Sequence, residues 1–286
     1  MAVDKNGMYK VEARGENVRW VEFGYGEFVD YVLKTPKHAK CGEESSKKLY
    51  KEGDENCWSG TWNWETAVKY AKYGWDAGIE QMRDYVETDS TLINIEHSLV
   101  GHAVDVGRFM TGVPDSMVTF YDDSYRNKAP LTVYTKLTYL ADVEGHEAME
   151  YCSNILETIA ILNRTFNVKL VGVFDSINNG IENMVLVNIK DTDERFVMNN
   201  LAFAYNPAFF RRFWFKWLET TNMWSEGYGS CPSGTFGDER TIIGIALRKV
   251  LPPQEQVFFM PDVYHRKDID PVAIAKECIA NQVERK

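Results

Sequence analysis

The sequence is short of the features that mark secreted, membrane-spanning and metal-dependent proteins. Its five cysteines are scattered, odd in number and form no CxxC pair, so neither a disulfide framework nor a cysteine zinc site is expected. A reducing cytoplasm is the natural setting for such thiols. The N-terminus MAVDKNGMYK has no apolar core, and no run approaches the roughly 18 apolar residues of a membrane span. A chain with neither secretion signal nor span is therefore expected. Histidine is scarce too: of the five, only His97 and His102 lie close together, at a spacing that is not a recurring ligand pattern. Asp122–Asp123 and Asp175–Ser176 lack a DxDxDG or DxSxS setting. No metal and no other cofactor is expected. Positive charge is in deficit, with 42 acidic against 32 basic residues and a net charge of -10. That disfavours coating of duplex DNA through bulk charge, yet leaves room for a local basic groove.

The nucleotide and nucleophile motifs are missing as well. The loop Glu226–Asp238 holds four glycines but matches neither GxxxxGK[ST] nor GxGxxG. Cys231 lies in that loop near Asp238, Glu239 and Arg240 with no local histidine to act as a base, so the expected catalytic set is empty.

What is present is a mixture of strand and helix patterns along the whole chain. VRWVEFGYGEF reads as a short strand ending in glycines, followed by a helix at Phe28–Leu33. STLINIEHSLVG, MVTFYD and LTVYTKLTYLADV read as strands, the last through its alternation at a period of two. The spacing predicts a helix over 145–164, then a hairpin of VKLVGVFDSI and NMVLVNI around NNG. A helix over 193–204, a continuation to about residue 221, a strand QVFFM and a final helix over 270–283 complete the pattern. No repeat and no long linker divides the chain. The expected fold is α/β or α+β, a single globular domain over 1–286 with one main mixed sheet and flanking helices, not an OB-fold.

The stretch CWSGTWNWETAVKYAKYGWDAGIEQMRDY, from Cys57 to Tyr85, is the organising element. Trp64, Val68, Ala71, Trp75, Ile79, Met82 and Val86 recur at helical spacing and form one stripe for burial. Asn63 is placed to cap this helix, and Glu65 lies in the first turn, where the helix dipole favours an anion. Lys69, Tyr70, Lys72, Tyr73 and Arg83 fall on the other face. Just upstream, residues 34–51 carry Lys34, Lys37, Lys40, Lys47, Lys48 and Lys51 against Glu43 and Glu44. This basic run, read as part of a mobile segment at about 34–56, has a solvated loop as its plain alternative. SYRNK, with Arg126, and FFRRFWFKWL, with Arg212 and Lys216 opposite Phe210, Phe213, Trp214 and Trp217, repeat the mixture of rings and cations. Single-stranded nucleic acid is held by such mixtures, with bases stacked on rings and cations tracking phosphates. Rings also fill cores, and Trp75, Trp214 and Trp217 are read as core. The expected nucleic-acid-binding set is Lys37, Lys40, Lys47, Lys48, Trp58, Trp62, Lys69, Tyr70, Lys72, Tyr73 and Arg126.

WSGTWNWETAVKYAKYGWDAG, followed by Val104-Asp105-Val106 and Gly112-Val113-Pro114-Asp115-Ser116-Met117, resembles a W-x-G … GW-x-x-G signature of poorly characterised bacteriophage proteins. Over about residues 57–120 the chain is similar to the Drc-like family, single-stranded-DNA-binding RNA polymerase cofactors of a Pseudomonas podovirus. The resemblance implies a non-enzymatic transcription cofactor in the host cytoplasm, active in early-to-middle gene expression. Such a protein binds melted promoter DNA and recruits the phage RNA polymerase. It carries over no binding residue. A homo-oligomer stays open, as do two alternatives: a nucleotide- or nucleic-acid-modifying enzyme using residues 226–240, and a phage protein–protein interaction factor.

Overall fold

A computed structural model describes residues 9–13, 16–35, 59–80, 94–98, 103–104, 106–114, 116–121, 128–139, 142–178, 181–192, 194, 197–221, 246, 249, 256–263 and 269–284. The fold is mixed α/β, built on a six-stranded sheet with flanking helices. Its strands are β1 (Tyr9–Ala13), β2 (Glu16–Gly24), β6 (Ala129–Lys136), β7 (Phe166–Asn178), β8 (Ile181–Lys190) and β9 (Val257–Phe259), in the order β1-β2-β8-β7-β6-β9. The pairs β2–β8, β6–β7 and β6–β9 are parallel, and β1–β2 and β7–β8 antiparallel. This mixed order with parallel pairs is not the Greek-key barrel of an OB-fold. A second sheet holds β3 (Asn94–Ser98), β5 (Met117–Tyr121) and β4 (Ala103–Val104), in the order β3-β5-β4. The short helix α3 (Val106–Met110) lies between β4 and β5 in sequence.

Parallel neighbours need a crossover, and α4 (Gly145–Asn163) supplies it between β6 and β7. Its Cys152, Ile155, Leu156, Ile159 and Leu162 are buried, as their helical spacing requires. β6 is buried from Leu131 to Lys136 because the sheet is covered on both faces there. On one face Leu131, Val133, Phe174, Val185 and Val187 join the helices in the main core. On the other, Val18, Trp20, Tyr134, Val171, Val173, Met184 and Leu186 form a smaller cluster with Ala246, Val257 and Phe259. The C-terminal helix α7 (Pro271–Glu284) packs on α4.

Two helices and a rod position the candidate site. Helix α1 (Tyr25–Lys34) follows β2 directly and buries Tyr25, Phe28, Val29 and Val32. Lys34 is thus the last residue of α1, paired with Asp30 at 2.8 Å, rather than the start of a loop. The rest of the basic run lies outside the described residues. Gly26 is exposed in the first turn of α1, and a Cβ added there meets nothing within 4 Å. Gly26→Ala is therefore expected to stabilise the protein by about 0.5–1 kcal/mol by restricting the unfolded chain; a lower urea midpoint would contradict this.

The rod begins after α5 (Met198–Ala204). A π-helical turn, Phe209–Trp214, runs without interruption into α6 (Phe215–Thr220). Every residue from Leu201 to Leu218 is buried, which suits a helix that is apolar on all sides. The expected division of FFRRFWFKWL into a ring face and an outward cation face is corrected: Arg211, Arg212 and Lys216 are 1%, 0% and 2% exposed. Trp75, Trp214 and Trp217 are core, as expected.

Candidate nucleic-acid interface

The tryptophan-rich stretch is held by the rod, and its glycines and rings are the means. Arg212 donates from Nε to Thr61 Oγ1 at 2.7 Å, and from Nη2 to Ser59 Oγ at 3.1 Å and Thr61 O at 2.6 Å. A guanidinium presents several donors in a fixed fork, so one side chain fixes the loop at three points. Gly60 sits between them at φ 71, where an added Cβ would lie 2.4 Å from Asn206 Oδ1 and 2.6 Å from the backbone N of Ala208. Only glycine allows this loop to touch the entry of the rod.

Helix α2 (Trp64–Tyr73) starts where the loop ends. Asn63 Oδ1 accepts from Thr66 N at 2.7 Å, which is the expected cap. Trp64 lies against Phe213 with ring centroids 5.0 Å apart, and Lys216 Nζ is 4.7 Å from the centre of the Trp64 ring. A buried ammonium over an indole face is an attractive cation–π contact. The far end is fixed as well. Gly74 takes φ 93 beside Asn199, whose Nδ2 donates to Tyr73 O at 3.2 Å. The expected helix continuing to Val86 is corrected here. α2 ends at Gly74, and residues 76–80 form a separate helical turn. Met82, Arg83 and Val86 lie outside the described residues.

This clamp sorts the expected binding residues. Tyr73 is 71% exposed at the end of α2. Lys69, one helical turn before it, and Lys72, beside it, are both exposed. Trp62 is half-buried just before the Asn63 cap. The structure thus places Lys69, Lys72 and Tyr73 on one face of α2, with Trp62 in the loop before its cap. Tyr70 is corrected: it is 9% exposed and packs on Trp75 with ring centroids 6.2 Å apart, so its ring is not offered to a base. The buried stripe of α2 runs through Trp64, Ala67 and Tyr70, with Val68 and Ala71 only partly covered. Asp76 and Glu80 are exposed beyond Gly74, so the basic strip stops at the end of α2. Lys37, Lys40, Lys47, Lys48, Trp58 and Arg126 lie outside the described residues, as does the whole 226–240 loop with Cys231.

Sequence reasoning missed Arg211 and Arg212 as structural cations. Arg211 Nη2 donates to Val143 O at 2.9 Å, and its guanidinium stands 4.9 Å from the centre of the Tyr139 ring. The signal was available: rings at every phase around FFRRFWFKW leave no outward face for a cation.

Among the described residues no helix is long and apolar enough to cross a membrane. Nor does any group of three or more His, Cys, Asp and Glu side chains converge among them in a way that could hold a metal ion. No curated protein and no solved structure matches the chain. One family does match, over residues 22–273, and its span covers most of the main sheet, the rod and the clamped helix. The chain belongs to that family, described as a domain of unknown function (DUF7192).

Proposed function

We propose that the protein binds single-stranded DNA on the outer face of α2. The observation that carries this is the exposed Tyr73 ring, flanked by Lys69 and Lys72 on a helix fixed at both ends. A ring held out on a rigid element stacks on a base at little entropic cost, and two ammonium groups beside it meet adjacent phosphates. Trp62, half-buried, lies in the loop just before the cap. The basic run 34–51 adds charge in sequence, which a net-acidic chain needs in order to hold a polyanion locally. The role of a phage transcription cofactor, acting on melted promoter DNA with the phage RNA polymerase as partner, rests on the resemblance of the WSGTW … GWDAG stretch. Tight single-strand binding is its precondition.

Tyr73→Ala tests the reading, because the side chain is exposed and its removal leaves the core intact. Stacking is worth about 1–3 kcal/mol per base, so affinity for a labelled oligonucleotide is expected to fall roughly five-fold or more. Tyr31→Ala, an exposed tyrosine on α1, serves as control and leaves affinity unchanged. In the double variant Lys69→Ala/Lys72→Ala the salt dependence is expected to flatten, its slope falling by about 0.7 for each phosphate that is no longer neutralised. Equal affinities of wild type and Tyr73→Ala would remove α2 from the interface.

A further inference from the structure

A buried charged cluster lies on the opposite side of the sheet from the rod, where β6 and β9 end. Lys136 closes β6, Asp175 extends from β7 two residues past the Lys136–Val173 pair, and Asp262 follows β9. Their exposures are 2%, 1% and 1%. Lys136 Nζ stands 3.4 Å from Asp175 Oδ2, and Thr138 Oγ1 donates to Asp175 Oδ1. Across the β7–β8 ladder Asp175 meets the uncharged Met184, so its partner on that side is apolar. Among the described residues, Lys136 from β6 and Asp262 from the segment after β9 are the charged groups that act on Asp175. Tyr151 of α4 borders the same place and donates to Pro261 O at 2.7 Å.

β9 is a short latch. It pairs with β6 only at Val257, Phe258 and Phe259. Thr132 N to Gln256 O and Met260 N to Tyr134 O, both 2.9 Å, flank that pairing. An ionised Asp175 is costly in an apolar setting and pushes against Asp262 on the latch side. We propose that a proton on Asp175 controls how firmly β9, with Asp262 just beyond it, closes onto β6.

The sign follows from the environment. Burial, the largest influence, raises the Asp175 carboxyl to about 6; Lys136 opposes the rise and Asp262 adds to it. The folded value lies above the ordinary carboxyl value of 3.8, so the closed state holds the proton better than the open one. Closure is then firmest below about pH 4, weakens as pH rises to about 6, and is level above that.

Native-state hydrogen exchange on the full chain reads this directly. After correction for intrinsic exchange, the opening constants of the Thr132 and Met260 amides are expected to rise about tenfold between about pH 5 and about pH 7. Amides in the β7–β8 ladder are expected to stay constant. Asp262→Asn removes the second carboxylate and is expected to shrink the step. Asp175→Asn abolishes it. Flat opening constants in the wild type would overturn the proposal, as would an equal rise across the whole sheet or a step unchanged in Asp262→Asn.

Discussion

Arg212→Met lowers the stability of the protein by about 1–3 kcal/mol or more, the cost of leaving buried hydrogen-bonding groups without their donor. The methionine fills much of the volume, so the cost is one of hydrogen bonds. Ser59 Oγ, Thr61 Oγ1 and Thr61 O are each deprived of the guanidinium that now reaches them. Ser59 and Thr61 are both 1% exposed, so water does not replace the missing donor. Arg212→Lys recovers only part of the stability, because one ammonium cannot span the Nε and Nη2 contacts together. Urea denaturation with tryptophan fluorescence measures the change, and Lys72→Met, on the exposed face of α2, is the neutral control within about 0.5 kcal/mol. A change below about 1 kcal/mol for Arg212→Met would mean that the loop is held by something other than this side chain.

Gly60→Ala is the second large effect. Two costs add at this position. The φ of 71 is unfavourable for an L-residue by about 1–2 kcal/mol. The new Cβ also meets Asn206 Oδ1 at 2.4 Å and Ala208 N at 2.6 Å. Asn206 Oδ1 accepts from Ala208 N at 2.8 Å, so displacing it breaks the bond that shapes the entry to the π-helical turn. Gly112 separates the two costs: its φ is 74, but nothing stands within 4 Å of an added Cβ. Gly112→Ala is expected to cost about 1–2 kcal/mol, the conformational part alone, and Gly60→Ala at least about 2 kcal/mol more. Equal urea midpoints for the two variants would show that the loop moves aside freely.

The same residues show how far the sequence could be read. Apart from the two-residue strand β4, the order of strands and helices was legible from β2 onward, because β-branched alternation and helical spacing are local properties. The Asn63 cap was legible for the same reason. The end of α2 was not. Trp75 and Ile79 keep the helical phase across Gly74, so the pattern continues although the backbone turns aside at φ 93. A lone glycine inside a periodic run gives little warning, since its conformation depends on Asn199, far along the chain. Tyr70 was misplaced because the apolar stripe was drawn through Val68 and Ala71. In the fold the larger ring takes the buried side and leaves those smaller residues at the margin. The Lys136–Asp175 pair could not be read at all, because only the β6–β7 register brings it together.

The tryptophan-rich signature takes on a different meaning in the fold. Its glycines, Trp64 and Trp75 are explained by the clamp between loop, helix and rod, without any ligand. The proposed binding strip is instead what the clamp presents: Tyr73, Lys69 and Lys72, with the half-buried Trp62 just before the helix.

The most direct measurement is a fluorescence-anisotropy titration of wild-type protein into a labelled single-stranded oligonucleotide, with the matching duplex as control, at low and high salt. Saturable binding to the single strand is expected, with much weaker binding to the duplex and a steep fall in affinity as salt rises. No binding to the single strand at low salt, or equal binding to both forms, would contradict a single-strand interface on α2.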